Sequence, residues 1–280
     1  MIDETIEHIK QQNLPKDGDY IGDDGLLYCG KCHTRKQRKI TICKIEKVVP
    51  VVCQCRAAEL KRQKEIDRQN NQQKRINQLI HEGVYEPGYT DCIFANDDNS
   101  NPKISRTCHK YVDKWDEVLA KNIGLMFYGP KGTGKSFFAY SIANALIEKC
   151  EPVCITSFTR LLSAAASLDN RQKVIDRLNA YSLLVLDDIG AERQSNKDGV
   201  SYSQEIMFNI INGRYGIRKP LIVTTNYDVE TFSNPSDIAY GRIYDRILEM
   251  CPVRIKIDGE SRRAAIASKQ RDEFIKILEE

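Results

Sequence analysis

The sequence predicts an α/β fold in which helices flank a parallel β-sheet, preceded by a small cysteine-containing module and a helical linker. From residue 123 onward, apolar runs long enough for buried strands alternate with helix-forming segments. This alternation is typical of a parallel sheet that is covered on both faces. A glycine-rich loop follows the first apolar run, and two cysteine pairs precede a long polar stretch. With 280 residues, the chain has room for one sizeable domain and a smaller one.

Charge is distributed unevenly along the chain, although the net charge is only +3. Residues 1–28 contain seven acidic side chains and two lysines, whereas residues 29–64 contain eleven lysines and arginines and two glutamates. The basic block fits contact with nucleic acid or with an acidic protein surface, and a simply solvated basic face is the alternative.

The sequence contains no membrane or secretion signal. No apolar run approaches the ~18 residues that a membrane-spanning helix needs. The first residues are acidic and lack the apolar stretch of a signal peptide. We therefore expect a cytoplasmic protein with no membrane contact, in which thiols stay reduced. The ten cysteines then indicate metal binding or burial rather than a disulfide framework.

Two cysteine pairs predict a zinc site in a zinc-ribbon-like module, which we assign to residues 1–55. A C-x₂-C pair and a later C-x-C pair can present four thiolates to one Zn²⁺ ion: Cys29, Cys32, Cys53 and Cys55. The C-x-C spacing is less common, so His33 and Cys43 are alternative ligands, and four unrelated cysteines are the other explanation. The runs 39–43 and 48–52 fit the strands of such a module, whose folding energy the metal would supply.

Residues 56–82 form a predicted helix that is polar on nearly all sides. Such helices usually bridge domains through solvent, and this one would span about 40 Å. We interpret residues 56–88 as a linker between the module and a larger domain at residues 89–280. A basic helix that binds nucleic acid is the alternative.

The larger domain begins with a predicted amphipathic helix and continues with the alternating pattern. Four apolar side chains fall on one face of that helix and are assigned to the core: Tyr111, Trp115, Val118 and Leu119. Five strands are predicted, at residues 125–128, 153–157, 183–186, 221–225 and 253–257.

The segment after the first of these strands has the G-x-x-x-x-G-K-[ST] pattern of a phosphate-binding loop. Its glycines allow backbone N–H groups to turn inward around phosphate oxygens, and the following helix N-terminus favours anions. Lys135 is expected to reach the β- and γ-phosphates of ATP, and Ser136 to place its hydroxyl on Mg²⁺. The predicted nucleotide-binding residues are Gly129, Pro130, Lys131, Gly132, Thr133, Gly134, Lys135 and Ser136.

Two further strands end in side chains that suit nucleotide hydrolysis. One ends in Asp187 and Asp188, and another is followed by Asn226. In ATPases with this loop the first carboxylate holds Mg²⁺, and the second can polarise the attacking water. Asn226 can bind the water and the γ-phosphate, although turn formation also explains an asparagine there. Because Asp188 is one methylene shorter than a glutamate, we expect slow hydrolysis.

Two arginine pairs lie in the last part of the chain. Arg242 and Arg246 are four residues apart on a predicted helix and are expected to project outward together. Guanidiniums there suit a finger that reaches the γ-phosphate of a neighbouring subunit, and a solvated basic face is the alternative. Arg262 and Arg263 are candidates for a sensor of the γ-phosphate bound by the same chain.

Together these motifs resemble those of the AAA+ helicase loaders of bacterial and phage replication, the DnaC/DnaI type, to which the IstB transposition ATPases are related. Besides the phosphate loop, the resemblance rests on the segments 183–190, 224–226, 241–247 and 259–263. It covers about residues 84–270 in detail and the front of the chain only loosely, through the cysteines and the charged helix.

The resemblance implies a P-loop AAA+ ATPase with a reduced lid, because only 23 residues follow Ile257. It implies that Asn226 is a sensor of the γ-phosphate and that Arg263 is a second sensor. It also implies that Arg246 is the arginine finger, with Arg242 beside it.

The same resemblance implies partners. The expected activity is loading of a replicative hexameric helicase onto single-stranded DNA, with self-association through the AAA+ domains and docking of the N-terminal module on the helicase. DNA contacts would fall at residues 157–160, where Phe158 and Arg160 either meet a strand or simply pack and cap. An IstB-like transposition ATPase and a nucleotide-gated DNA-binding adaptor with little turnover are the competing functions.

Overall fold

A computed structural model of the chain describes residues 18–42, 44–83, 88–165, 168–190, 200–233, 238–262, 271 and 274–275. The chain divides into two compact units, an N-terminal unit at residues 1–74 and a larger unit at residues 75–280. Within the described part of the chain, no helix is long and apolar enough to cross a membrane.

The described residues of the N-terminal unit form two small antiparallel pairs of strands. β1 (Tyr20–Ile21) pairs with β2 (Leu27–Tyr28), and β3 (Gln37–Ile42) pairs with β4 (Ile45–Pro50). The β3–β4 hairpin confirms the two strands predicted here, although both begin and end earlier than expected.

The interior of the N-terminal unit is small and partly charged. Leu26, Cys29 and Cys53 are its buried apolar residues among those described. The Lys36 ammonium is also buried, 2.5 Å from the Asp19 carboxylate. A buried ion pair is weak evidence for stability, because desolvation offsets much of its attraction. This unit therefore has little apolar burial with which to stabilise itself.

A single helix, α1 (Gln54–Gly83), confirms the helix predicted for residues 56–82. Most of its side chains are exposed, and its buried residues, Leu79 and Gly83, lie near its C-terminus. The Glu82 carbonyl accepts hydrogen bonds from the Arg177 guanidinium at 2.7 Å and from the Tyr181 hydroxyl at 2.6 Å. The last turn of α1 is therefore packed within the larger unit.

The amphipathic segment predicted before the sheet is two helices rather than one. A 3₁₀ turn (Phe94–Asn96) leads to α2 (Pro102–Asp113) and α3 (Trp115–Lys121). The break falls at Lys114, whose φ of −100° and ψ of 28° depart from helical values. The assignment to the core is confirmed: Tyr111, Trp115 and Val118 are buried, and Leu119 is partly buried.

Strands and helices then alternate, as predicted. The elements are β5 (Leu125–Tyr128), α4 (Lys135–Glu148), β6 (Val153–Ser157), α5 (Phe158–Ala164), α6 (Leu168–Ala180), β7 (Leu183–Ile189), α7 (Val200–Ile217), β8 (Leu221–Thr225), α8 (Val229–Ser233), α9 (Ile238–Met250) and β9 (Val253–Lys256). The five strands are parallel and lie in the order β6-β7-β8-β5-β9. β7 runs past its predicted end, and β9 stops one residue before its predicted end.

Both faces of this sheet are buried. Leu184 and Leu186 of β7 pack into an apolar cluster that also contains residues of α6, α7 and α9. Leu183 and Val185 pack into the opposite cluster, with residues of α2, α3 and α4. Burial on both sides explains why the strands read as continuous apolar runs rather than alternating ones.

The strand order decides which loops meet. β7, β8 and β5 are neighbours and parallel, so their carboxyl ends lie at the same edge of the sheet. The phosphate-binding loop follows β5, Asp188 lies near the end of β7, and Asn226 follows β8. In open α/β sheets ligands bind at the carboxyl ends of the strands.

Candidate functional site

The phosphate-binding loop, residues 129–136, connects β5 to α4 and has left-handed backbone at its glycines. Gly129 has φ 133°, and a Cβ there would collide with the Ile257 carbonyl. The buried Lys135 ammonium donates hydrogen bonds to the carbonyls of Gly129 at 3.0 Å and Pro130 at 2.6 Å. The loop thus holds a positive charge beside the N-terminus of α4, an arrangement that suits phosphate.

The Asp187 carboxylate is the centre of a hydrogen-bond cluster beside this loop. Its Oδ1 accepts from the Ser136 hydroxyl at 2.8 Å and from the Thr224 hydroxyl at 2.6 Å. Its Oδ2 accepts from the Tyr140 hydroxyl at 2.8 Å. The structure therefore brings together Ser136 and Asp187, the two residues predicted to share Mg²⁺. It adds Thr224 and Tyr140, whose contacts with Asp187 the sequence motifs did not predict.

A hydroxyl and a carboxylate at this place fit a magnesium ion. Mg²⁺ prefers oxygen ligands and is usually held by one or two protein groups together with substrate phosphates and waters. Ser136 and Asp187 supply two such oxygens next to the loop that suits phosphate. These two residues are the ones that would hold the ion.

Asp188 and Asn226 form a second polar pair at the same edge. The Asn226 amide donates to Asp188 Oδ1 at 2.7 Å. Asp188 has a left-handed backbone, with φ 56°, and its N–H donates to the Thr224 hydroxyl at 2.9 Å. This backbone turns the exposed Asp188 carboxylate away from the strand direction and toward Asn226. The two residues predicted to act on the attacking water are thus in direct contact.

The segment after β9 folds over the phosphate-binding loop. The Arg262 N–H donates to the Gly132 carbonyl at 3.0 Å, and its guanidinium would lie 3.5 Å from a Cβ at Gly134. The guanidinium also contacts the Asp98 carboxylate at 3.3 Å and the Ser100 hydroxyl. Arg262 therefore adds a cation beside the loop. Arg263, the other candidate sensor, lies outside the described residues.

The two arginines of α9 differ in their surroundings, which corrects the expectation that both project outward. Arg242 is exposed. The guanidinium carbon of Arg246 instead lies 4.9 Å from the ring centre of Phe208 and 5.8 Å from that of Tyr215, both on α7. The side chain of Arg246 is drawn back over its own subunit because aromatic faces attract guanidinium.

Arg214 is a buried cation that the sequence did not reveal. Its guanidinium donates hydrogen bonds of 2.7–3.3 Å to four backbone carbonyls: those of Leu178, Tyr181, Ser182 and Pro220. Burial lowers the pKa of Arg214 to about 10. These carbonyls lie at the end of α6 and just before β7 and β8, so Arg214 ties together the amino ends of two strands. Nothing in the local sequence distinguishes it from an exposed helical arginine.

Four cysteine thiols of the N-terminal unit meet in one cluster, as predicted. All four Sγ atoms lie within 4.8 Å of one another: those of Cys29, Cys32, Cys53 and Cys55. The Sγ of Cys55 is 3.5 Å from that of Cys29 and 3.4 Å from that of Cys53. Four sulfurs bound at ~2.3 Å to a tetrahedral zinc ion stand about 3.8 Å apart. The spacing fits such an ion.

The backbone around the first pair forms a tight knuckle. The His33 N–H donates to the Cys29 carbonyl at 2.8 Å, and the Cys29 N–H donates to the Thr34 carbonyl at 2.9 Å. The Gly30 N–H donates to Asp19 at 3.2 Å, and a Cβ on Gly30 would collide with the Gly18 carbonyl. The knuckle therefore requires glycine for space rather than for an unusual backbone angle.

The pKa values of three of the thiols are shifted, and not all in the same direction. The hydrogen bond with Thr34 is the largest cause lowering the pKa of Cys32 to about 5. Backbone N–H groups of Cys32 and Lys31 lower the pKa of Cys29. Hydrogen bonding with Cys53 is the largest cause raising the pKa of Cys55 to about 12. Hydrogen bonds thus favour the thiolate form of Cys29 and Cys32, whereas the neighbouring sulfurs disfavour the thiolate form of Cys55. A bound cation would favour the thiolate form of all of them.

The alternative zinc ligands considered from the sequence are His33 and Cys43. The Nδ1 of His33 is 3.3 Å from the Tyr20 hydroxyl, and the two rings pack at a centroid distance of 5.8 Å. The His33 ring therefore packs against and lies within hydrogen-bond distance of Tyr20. Cys43 lies outside the described residues.

The two residues considered for DNA contact, Phe158 and Arg160, differ in their exposure to solvent. Phe158 is buried in the apolar cluster, so stacking on DNA is excluded and ordinary packing explains it. Arg160 is exposed and lines a cavity of about 430 Å³ between α5 and α6, together with Leu161, Val174 and Tyr181.

Comparison with known proteins gives relatives of two kinds. Residues 105–270 match the profile of the family described as IstB-like ATP binding protein. The chain is 25% identical to the replicative helicase loader DnaI of Bacillus subtilis over 213 residues, which are 71% of this chain and 67% of DnaI. It is 28% identical to an insertion sequence ATP-binding protein of Sinorhizobium fredii over 203 residues, 70% of this chain and 65% of that protein.

Solved structures share the fold. The crystal structure of the DnaC helicase loader has a TM-score of 0.52 and 22% identity, covering 62% of this chain and 100% of that one. That of DnaI has a TM-score of 0.51 and 20% identity, covering 65% of this chain and 96% of that one. The larger unit thus has the AAA+-like fold that the motifs predicted.

Proposed function

Because the chain belongs to the family of IstB-like ATP-binding proteins, we propose that it is a slow ATPase that loads a replicative hexameric helicase onto single-stranded DNA. The nucleotide chemistry rests on the convergence of Ser136, Asp187 and Asn226 at one sheet edge beside the phosphate-binding loop. The helicase is proposed because two relatives, matched over 71% and 73% of this chain, are named replicative helicase loaders.

The polar groups predicted from the sequence each have a role in this proposal. Lys135 and the loop N–H groups bind the β- and γ-phosphates of ATP, while Ser136 and Asp187 hold Mg²⁺, which neutralises charge on the phosphate oxygens. Asp188 polarises the attacking water. Asn226 orients Asp188 through its 2.7 Å hydrogen bond and senses the γ-phosphate. ATP binding favours self-association of the chain and binding to DNA, and ATP hydrolysis releases the loader.

A neighbouring copy of the chain completes the site in this proposal. Arg242 is exposed and can reach across an interface without rearrangement. Arg246 acts in trans only after its guanidinium leaves the rings of Phe208 and Tyr215. The free energy of assembly would then have to offset the loss of this stacking. Within the same chain, Arg262 and Arg263 sense the γ-phosphate, and the contact of Arg262 with the loop supports this.

The N-terminal unit is proposed to bind Zn²⁺ through its four cysteines and to dock on the helicase. The thiol spacing and the small apolar interior support a structural ion. Residues 56–88 then serve as the linker between this module and the ATPase domain at residues 89–280.

A transposition ATPase is the second candidate, favoured by the relative from Sinorhizobium fredii. Such a protein would assemble on duplex DNA together with a transposase. A nucleotide-gated adaptor with little turnover is the third candidate, because Asp188 is one methylene shorter than a glutamate and reaches less far toward the attacking water. The N-terminal unit with its four cysteines favours the helicase-loading function, because it supplies a separate compact unit that can dock on the helicase.

The test is a loading reaction with the full chain and the hexameric helicase of the organism that encodes it. Helicase transfer onto circular single-stranded DNA is measured with ATP, without ATP, and with the Lys135→Ala variant. We expect ATP-dependent transfer that the variant does not support. Assembly on duplex DNA with no helicase binding would instead favour transposition. Near-zero hydrolysis with intact DNA binding would favour the adaptor.

A further inference from the structure

Tyr140 lies beside the candidate magnesium site, and the proposed function gives it no role. Its hydroxyl donates to Asp187 Oδ2 at 2.8 Å. We propose that Tyr140 is a positioning residue that fixes the Asp187 carboxylate for Mg²⁺ binding. This inference rests on the proposed function and names a further residue of its site.

The hydrogen bonds of Asp187 explain why such a residue is needed. Ser136 and Thr224 both donate to Oδ1, whereas Tyr140 donates to Oδ2. A carboxylate held at Oδ1 alone could turn about its Cβ–Cγ bond. The hydrogen bond from Tyr140 to Oδ2 fixes the second oxygen and therefore the orientation of the carboxylate plane.

The placement of Tyr140 suits this task. It lies four residues after Ser136 on α4, so both side chains lie on the same face of that helix, toward β7. Its ring is buried in the apolar cluster with Phe138 and Ile142, which holds the hydroxyl in place. A hydrogen bond from a hydroxyl to a carboxylate is stronger than one between neutral groups.

The experiment measures magnesium rather than turnover. A fluorescent ATP analogue is titrated into the full chain without metal and at rising Mg²⁺ concentrations, for the natural protein and for Tyr140→Phe. Removing a hydrogen-bond partner of a metal-binding side chain typically weakens metal affinity about tenfold or more. We expect the Mg²⁺ concentration for half-maximal tightening of the analogue to rise by about that factor. Metal-free affinity for the analogue should change less than about twofold, because the hydroxyl removed in Tyr140→Phe donates to the carboxylate that would hold the metal ion.

Tyr111→Phe is the matched control. The Tyr111 hydroxyl is also buried and donates at 2.7 Å, but to the backbone carbonyl of Ile123. Its removal should leave the Mg²⁺ dependence unchanged. The inference is overturned if Tyr140→Phe keeps the natural Mg²⁺ dependence, or if Tyr111→Phe shifts it equally. If the natural protein binds no nucleotide with or without Mg²⁺, the proposed function fails as well, so the two failures are distinguishable.

Discussion

The guanidinium carbon of Arg246 lies 4.9 Å from the ring centre of Phe208, within one subunit. Tyr215 is the second ring beside it, and the Tyr215 hydroxyl donates to Glu249 at 2.8 Å. Among the described residues, the buried Nη1 of Arg246 has no hydrogen-bond partner. An unsatisfied buried donor costs free energy. Arg246 therefore gains from its stacking, but its buried Nη1 can meet an acceptor of another molecule only if the side chain leaves this position.

The two arginines of α9 should differ in their effect on stability. Arg246→Ala removes the aromatic stacking and is expected to lower the free energy of unfolding by about 1 kcal/mol. Arg242→Ala, at an exposed position, should change it by less than about 0.5 kcal/mol. Urea unfolding of both variants measures the difference. Both should keep nucleotide affinity, and Arg246→Ala should lower hydrolysis. Equal loss of nucleotide affinity in both variants would remove the trans role.

Lys135 should be indispensable for nucleotide binding because its ammonium is the cation inside the phosphate-binding loop. Lys135→Ala is expected to abolish measurable ATP binding at micromolar concentrations. Lys131 in the same loop is exposed and serves as the control. Its change to alanine should weaken binding less than about tenfold, since its backbone N–H is kept. Isothermal titration calorimetry compares the two, and equal losses would contradict the role of Lys135.

The sheet and the phosphate-binding loop could be predicted because their signals are local. Each strand is an apolar run whose length matches a buried strand, and the glycine and lysine spacing of the loop is fixed by phosphate geometry. The pairing of Ser136 with Asp187 follows from two such signals, since parallel neighbouring strands end at one edge. The four-cysteine cluster was predictable for the same reason, because metal geometry fixes its spacing.

The missed features depend on contacts between distant parts of the chain. Tyr140 reads as one more apolar position of α4, and only the approach of β7 makes its hydroxyl a partner of Asp187. Arg246 has the helical spacing of an exposed arginine, and only the packing of α7 supplies the rings of Phe208 and Tyr215. The break at Lys114 is equally invisible, because the apolar period continues across it. The period of the apolar residues predicts which face of a helix is buried, but it does not identify the residues that pack against that face.

Arg214 should be one of the most sensitive positions in the larger unit. Arg214→Met is similar in length but removes the guanidinium hydrogen bonds to the backbone carbonyls of four residues. Because each unsatisfied buried group costs about 1–3 kcal/mol, we expect a loss of at least ~3 kcal/mol in the free energy of unfolding. Arg218→Met, at an exposed position after the same helix, should cost less than about 0.5 kcal/mol. Similar losses in both variants would show that Arg214 is not a structural tie.

Gly30 should be irreplaceable in the cysteine knuckle. In Gly30→Ala the added Cβ would collide with the Gly18 carbonyl, which is backbone and cannot move aside alone. The knuckle would have to open, which separates Cys29 from Cys32 and weakens zinc binding. The neighbouring Lys31 is exposed, so Lys31→Ala is the control. Zinc content of both purified proteins, measured by atomic absorption, should fall only for Gly30→Ala; equal content in both would contradict the collision.

Removal of zinc should unfold the N-terminal unit and spare the nucleotide site. The four thiols lie within 4.8 Å of one another, and four thiolates this close together need a cation to balance their charge. A strong chelator added to the full chain is expected to release one zinc ion and make these cysteines reactive toward a thiol reagent. ATP affinity should change less than about twofold, because the phosphate-binding loop belongs to the other compact unit. Helicase binding should be lost in the same sample. Retention of helicase binding after the metal has left would mean that the cysteine module does not dock the helicase.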